Sequence, residues 1–399
     1  MPKIKIVETD TTGNIEDAVS NVVYIPCISS KDIEPTLCLN TETLEKVGLD
    51  DTKLGYKLAK HLINLGLSVL VEGLQVTGDE TFNEFNPIPT TVWTRLQDKN
   101  LYNIRFLTTG EFGYVDTNAI MCATERGDCI ALCDHSKDDT NAADLESGDT
   151  VVSHVRSVFE EAFYSCSTDV DGAYATAFTP WFTTLNEDLI LENKETKETA
   201  VPASFGYLFA YARSIKKNPE YYAVAGNEVG LITELKSLCY TYNTSECEIL
   251  QARAKNAAVE LDNKSDNVGR AINPIAYIRG LGNVIWGNRT LTDNNRNLKA
   301  SAFLNIRHLA CTIKKLLFEK AKKYTFEQNG DILWINFQSE ILPTLDEMKG
   351  NSGILGYRFT KQATTAKARL KAKLTLMPIE AVEDFDLTVE LSDSIEVNE

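Results

Sequence analysis

Long hydrophobic runs are missing from this 399-residue chain. No stretch approaches the roughly 20 apolar residues that a bilayer-spanning helix needs, so no such helix is expected. Met1–Asp10 alternates lysines with aliphatics and does not resemble a targeting segment, so folding in a cytoplasm is expected. Positive charge is also scarce. A formal net charge of −17 repels a phosphate backbone, and nucleic acid is not expected as a direct partner.

Catalytic signatures are thin. There are four histidines, no Gly-x-Ser-x-Gly elbow and no P-loop, which leaves nucleophilic and phosphoryl-transfer chemistry without a foothold. Gly280-Leu281-Gly282 with Gly287 has the wrong spacing for a dinucleotide fingerprint and is expected to supply tight turns. Nine cysteines run from Cys27 to Cys311, mostly in apolar stretches such as Cys129–Cys133, and read as reduced core residues. Cys122, Cys129, Cys133 and His135 lack a paired CxxC, so neither a metal nor another cofactor is expected.

What is present is ordinary globular material, 43% hydrophobic and 24% charged, enough for two or three cores. Strands are expected at Val22–Pro26, Leu67–Glu72, Ile104–Leu107, Cys129–Cys133 and Ala173–Phe178. Helices are expected at Leu54–Leu65, Thr117–Arg126 and Val151–Tyr164. That alternation predicts an α/β unit with a mostly parallel, helix-covered sheet.

Past Pro202 the character changes, and a domain boundary is expected between Asn186 and Pro202. Helices are expected at Phe205–Lys217, Leu298–Tyr324 and Ile332–Met348, then strands at Ile354–Thr360, Leu370–Met377 and Phe385–Leu391. The second half thus reads as α+β. Phe385, Leu387, Val389 and Leu391 fall on one side of the last strand, and Asp386, Thr388 and Glu390 on the other.

One reading treats Asp134, His135 and Asp138, after a strand end, as the polar corner of a small-molecule enzyme. A second comes from an ordered series of fragments: Pro180-Trp181, Pro202, Tyr211-Ala212-Arg213, Asn227-Glu228-Val229, Asn273-Pro274-Ile275 and Trp286-Gly287-Asn288-Arg289-Thr290-Leu291. The series continues with Asn305-Ile306-Arg307-His308, Tyr324-Thr325-Phe326-Glu327, Leu333-Trp334 and Gly353-Ile354-Leu355-Gly356-Tyr357. In this order they resemble the tail sheath family of contractile phages, R-type pyocins and related injection machines. The first half resembles the family more loosely, through Val69–Glu72 and Cys122–His135.

The resemblance implies a non-enzymatic subunit that polymerises as a helical cylinder around an inner tail tube and contracts to drive it through a cell envelope. It implies an N-terminal linking arm at 1–17, an α/β outer part at 18–195, a sheath core at 196–380 and a C-terminal arm at 381–399. Lys3, Ile4, Lys5 and Ile6, with Phe385, Leu387, Val389 and Leu391, are then the strands that pass into neighbouring copies. The lysine-rich end of the helix before Tyr324 is the implied tube contact, through Lys314, Lys315, Lys322 and Lys323, of which helical spacing puts Lys315 and Lys322 opposite the apolar face. The implied partners are other copies, the tube, baseplate and tail terminator proteins, in a virion assembled in the host cytoplasm. A bacterial injection or secretion system is the alternative within the same class.

Overall fold

The computed structural model describes residues 21–76, 82–83, 85–141, 145, 150–164, 170–191, 198–251, 269–292, 300–351, 353–363, 369–379 and 381. In chain order the described strands are β1 (Val22–Ser29), β2 (Ile33–Cys38), β3 (Ser68–Gln75), β4 (Phe106–Leu107), β5 (Ile130–Cys133), β6 (Ala175–Thr179) and β7 (Phe182–Thr184). They continue with β8 (Thr199–Val201), β9 (Leu235–Leu238), β10 (Asn273–Ile278), β11 (Gly282–Ile285), β12 (Ile354–Gln362) and β13 (Lys371–Pro378). The described α-helices are α1 (Thr41–Val47), α2 (Leu54–Leu65), α3 (Thr90–Leu96), α4 (Thr117–Arg126), α5 (Val151–Tyr164), α6 (Ala203–Ser214), α7 (Thr244–Leu250), α8 (Leu304–Lys323) and α9 (Asp331–Gly350).

Eight strands form one sheet in the order β11-β10-β6-β5-β4-β1-β3-β2. Its six central strands are parallel, and β2 and β11 close the two edges in antiparallel pairing. The reason is legible in β1 and β3, whose near-continuous apolar runs are buried on both faces, as a helix-covered parallel sheet requires. Helix α2 ends where Gly66 takes φ +98 and donates to the Ile63 carbonyl at 2.9 Å, a conformation that costs glycine least. The expected turns at Gly280 and Gly282 are real, with φ of +89 and +92.

Most of the expected elements are in place, with shifted ends. The strand expected from Ile104 is only Phe106–Leu107, although the Arg105 backbone still donates to the Val22 carbonyl at 2.8 Å and accepts from the Ile130 amide at 3.0 Å. The last long helix but one starts at Leu304 rather than Leu298, after a 3-10 turn at Ala300–Ala302. β10 pairs with β6 in parallel at Asn273↔Phe178, so segments on both sides of the interval 186–202 share one sheet. Helix α7 has no counterpart among the expected helices, although Asn243 and Glu246 form a capping box that the sequence spells out.

A separate small core sits at the C-terminal end. Leu309 and Ile313 of α8 pack on Phe337, Ile341, Leu345 and Met348 of α9, and the hairpin β12–β13 covers them through Tyr357, Phe359, Leu374 and Leu376. Ile341 and Leu345 are fully buried there, each worth roughly 1.5–3 kcal/mol relative to exposure.

Candidate functional site

The α/β sheet has the strand order of a doubly wound fold, with a topological switch between β1 and β4 where such folds admit ligands. Here that crevice is filled from within. Thr108 donates to the Tyr24 carbonyl at 2.8 Å, and a side chain at Gly110 would overlap the Pro26 carbonyl. Glu111 accepts from the Ile28 amide at 3.0 Å and from the first amides of α2, so its own carboxylate takes the position an anion would hold at that helix start. Burial pushes its pKa up, and those amide bonds oppose the shift.

The polar corner after β5 is equally committed. Asp134 accepts from the backbone N of Ser204 at 2.8 Å and from its hydroxyl at 2.5 Å, capping α6. His135 is fully buried, with Nδ1 at 2.6 Å from the Ser136 carbonyl and Nε2 at 2.7 Å from the Thr179 hydroxyl. Asp138 lies in a 3-10 turn, where its backbone carbonyl accepts from the Asn141 amide at 2.8 Å. Cys122, Cys129 and Cys133 are buried, which raises their thiols, Cys122 to about 12. Among the described residues no group of three His, Cys, Asp or Glu side chains is arranged to hold a metal.

The C-terminal end is built differently. The hairpin β12–β13 is a two-stranded sheet with no further strand among the described residues, so both outer rows of backbone groups lack a ladder partner there. It lies on α9, with the Phe359 ring 5.0 Å from Trp334. The arms Lys3–Ile6 and Phe385–Leu391 lie outside the described residues.

Helix α8 carries the lysines, and one of them is misplaced by helical spacing. Lys315 does not project into solvent: its side chain is 12% exposed, donates to the Ile104 carbonyl at 2.7 Å and lies 3.6 Å from Asp128. It turns inward because the helix crosses the sheet at Arg105 and Asp128, where a carboxylate and carbonyls need a cation. Lys314 bonds the Tyr174 hydroxyl, Lys322 pairs with Glu319 at 2.9 Å, and Lys323 reaches Glu340 at 3.8 Å while staying 63% exposed.

Arg105, unremarked in the sequence although it interrupts an apolar run, anchors α8 to the sheet. Only 1% exposed, it pairs with Glu220 and donates to Thr312 at 2.7 Å and to the His308 carbonyl at 3.4 Å. Asn21, at the root of β1, donates to Glu220 at 2.9 Å and accepts from the Tyr211 hydroxyl at 3.0 Å. His308 stacks on Tyr211, and burial and Arg105 hold its pKa well below the usual histidine range, so it is neutral.

No protein-family model matches the sequence. A stretch of 89 residues is 34% identical to the tail sheath protein of Vibrio phage KVP40, covering 22% of this chain and only 12% of that relative's length. The whole architecture matches a subunit of the sheath complex of an extracellular contractile injection system, PVC, in its contracted state, with TM-score 0.61, 14% identity and 98% of both chains covered. The chain has the fold of contractile sheath subunits. The same sheath fold relates it to the contracted helical sheath of the anti-feeding prophage, with TM-score 0.58, 13% identity and 98% of each chain. A sheath tail protein from Desulfitobacterium hafniense shares the fold at TM-score 0.51 and 8% identity, over 94% of this chain and 100% of that one.

Proposed function

We propose that this chain is the structural subunit of a contractile sheath, which polymerises as a helical cylinder around an inner tube and shortens to drive the tube through a target envelope. The observation that carries the reading is the end-to-end likeness of fold to subunits of sheaths solved as contracted assemblies. The role is mechanical and needs no cofactor. Contraction is a downhill change between two lattices of one subunit, with the extended form held by a kinetic barrier.

Polymerisation runs through the arms. Lys3, Ile4, Lys5 and Ile6, with Phe385, Leu387, Val389 and Leu391, add as strands to hairpin edges of neighbouring copies, whose free donors and acceptors need partners. The inner tube is gripped by Lys314, Lys322 and Lys323. Baseplate proteins bind one end of the cylinder and a terminator the other, in a phage tail assembled in the host cytoplasm. The likeness to subunits of an extracellular contractile injection system and of the anti-feeding prophage favours a second setting for the same machine, a bacterial contractile injection or secretion system.

Electron microscopy of the purified full chain tests the reading. Hollow striated tubes are expected, and deletion of residues 385–399 is expected to abolish them. A chain that stays monomeric at high concentration, or tubes that survive the deletion, overturns it.

A further inference from the structure

Helix α8 brings two cations to one aromatic ring. The Arg307 guanidinium carbon lies 4.2 Å from the centroid of Tyr174, and Lys314 Nζ lies 4.8 Å from the same centroid and bonds the hydroxyl. Two turns apart, they share one face of the helix. Their charges are no farther apart than the sum of those distances, about one screening length at physiological salt. Gly127, at the end of α4, borders them. A side chain there would stand 3.6 Å from both Lys314 Nζ and the Tyr174 hydroxyl, in space that the glycine leaves open.

Neither cation has a carboxylate partner among the described residues, and Arg307 makes no side-chain hydrogen bond there. Arg307 is nonetheless only 9% exposed, and its Nε is buried without an acceptor. Two local effects account for part of this. The ring attracts the face of the guanidinium, and the carbonyl end of α4 favours a cation at Lys314. Neither supplies an acceptor in the guanidinium plane, where the N–H donors point, and a buried donor left so is costly. The positive field is felt at Cys311, which lies between the two on the same helix face. Burial raises its thiol, and Arg105, Arg307 and Lys314 oppose the shift. Arg105 is paired with Glu220, whereas Arg307 and Lys314 are left to each other.

We propose that Arg307 and Lys314 together bind one small oxyanion of the phosphate class, held in the guanidinium plane and against the ammonium. Such an ion accepts from the fork of Arg307 through two oxygens and from Lys314 through a third. A free ion fits better than an acidic side chain of another chain, because its own fold covers all but a small part of Arg307. Bound there, it removes the repulsion of the two cations and ties α8 to the turn before β6. The inference goes beyond the sheath reading and does not depend on it.

Isothermal titration calorimetry of the full chain with inorganic phosphate, at constant ionic strength, tests the site. One saturable site per chain is expected. R307Q and K314Q are each expected to weaken it tenfold or more, as the loss of a charge-assisted hydrogen bond does. R307K, which keeps the charge without the fork, is expected to weaken it as well. K322Q, in the last turn of α8, is expected to bind like wild type. Circular dichroism checks that each variant is folded, and Lys314, being exposed, keeps the test decisive if R307Q does not fold. Absence of saturable binding in the wild type, unchanged affinity in K314Q, or an equal loss in K322Q overturns the inference. Binding by the monomer but not by sedimented polymer gives the two cations to an acidic group of a neighbouring copy, and it too overturns the assignment to a free ion.

Discussion

Asp134, just past the end of β5, holds the start of α6 from 70 residues away: one carboxylate oxygen accepts the Ser204 amide and the other its hydroxyl. The same corner is closed by Trp181, whose indole donates to the His135 carbonyl at 2.7 Å. Pro180-Trp181 and Pro202, fragments of the family pattern, thus meet in space around one strand end.

Replacing Asp134 with Ala removes an N-cap and leaves a buried hydroxyl and amide short of an acceptor, with an expected cost of about 2 kcal/mol in urea unfolding. Burial pushes the Asp134 carboxyl up to about 6 despite the Ser204 bonds. Because this folded value lies above the unfolded one, its contribution is most favourable at low pH and declines as pH rises from about 4 to 6. The stability difference between wild type and Asp134→Asn is expected to shift against wild type by roughly 2–3 kcal/mol at most between pH 4 and 7.

Glu234 has the opposite sign. Burial would raise its carboxyl, but the His61 hydrogen bond and the Arg213 guanidinium, 2.6 Å away, outweigh it and hold the pKa at about 2. This depressed value stabilises the fold above the ordinary glutamate range, and the contribution is lost as pH falls from about 4.5 toward 2. Arg213→Ala is expected to cost about 2 kcal/mol, less than the 3–5 of a fully buried pair because Arg213 is 30% exposed. Acid titration followed by circular dichroism is expected to show its unfolding midpoint moved to higher pH.

Lys315 and its neighbours separate structure from partner binding. Burial brings the Lys315 ammonium down to about 8, with Asp128 opposing the shift. Its contribution to stability therefore grows as pH rises from about 8 to 10.5. Lys315→Ala is expected to lower thermal stability by about 1–3 kcal/mol. Lys322→Ala and Lys323→Ala are expected to stay within about 0.5 kcal/mol. Under the proposed function, K322E/K323E weakens co-sedimentation with tube protein while leaving the melting temperature unchanged. Unchanged tube binding in that variant counts against these two contacts.

Gly113 takes φ +55 with the Trp181 ring against it, so a methyl group there meets both an unfavourable backbone conformation and an overlap. Gly113→Ala is expected to destabilise by at least about 2 kcal/mol and to alter Trp181 fluorescence. A melting curve and emission spectrum like the wild type would contradict this.

Much of the sheet was legible because buried parallel strands leave unbroken apolar runs and covering helices leave a period of 3.6. Thus β1, β3, β5, α2, α4 and α5 follow directly from residue spacing. Their order in space was not legible. Pairing of β10 with β6 closes a gap of some ninety residues across which composition changes, and no local pattern encodes such a partner. The lysines of α8 show the same limit: periodicity assigns a face to Lys315, but whether that face meets solvent depends on Arg105 and Asp128, brought there by other strands.

By itself the sequence determined the elements, the unlike charge of residues 354–378 and 380–399, and an ordered set of fragments pointing to sheaths. Hydrophobic period and charge order are local and one-dimensional, so they are written along the chain. Tertiary structure alone decided that Glu111 fills the switch-point crevice, that Lys315 is consumed inside the fold, and that β12–β13 stands as a two-stranded sheet among the described residues. Those outcomes depend on which distant groups meet, and desolvation penalises every buried donor, acceptor or charge that fails to find one.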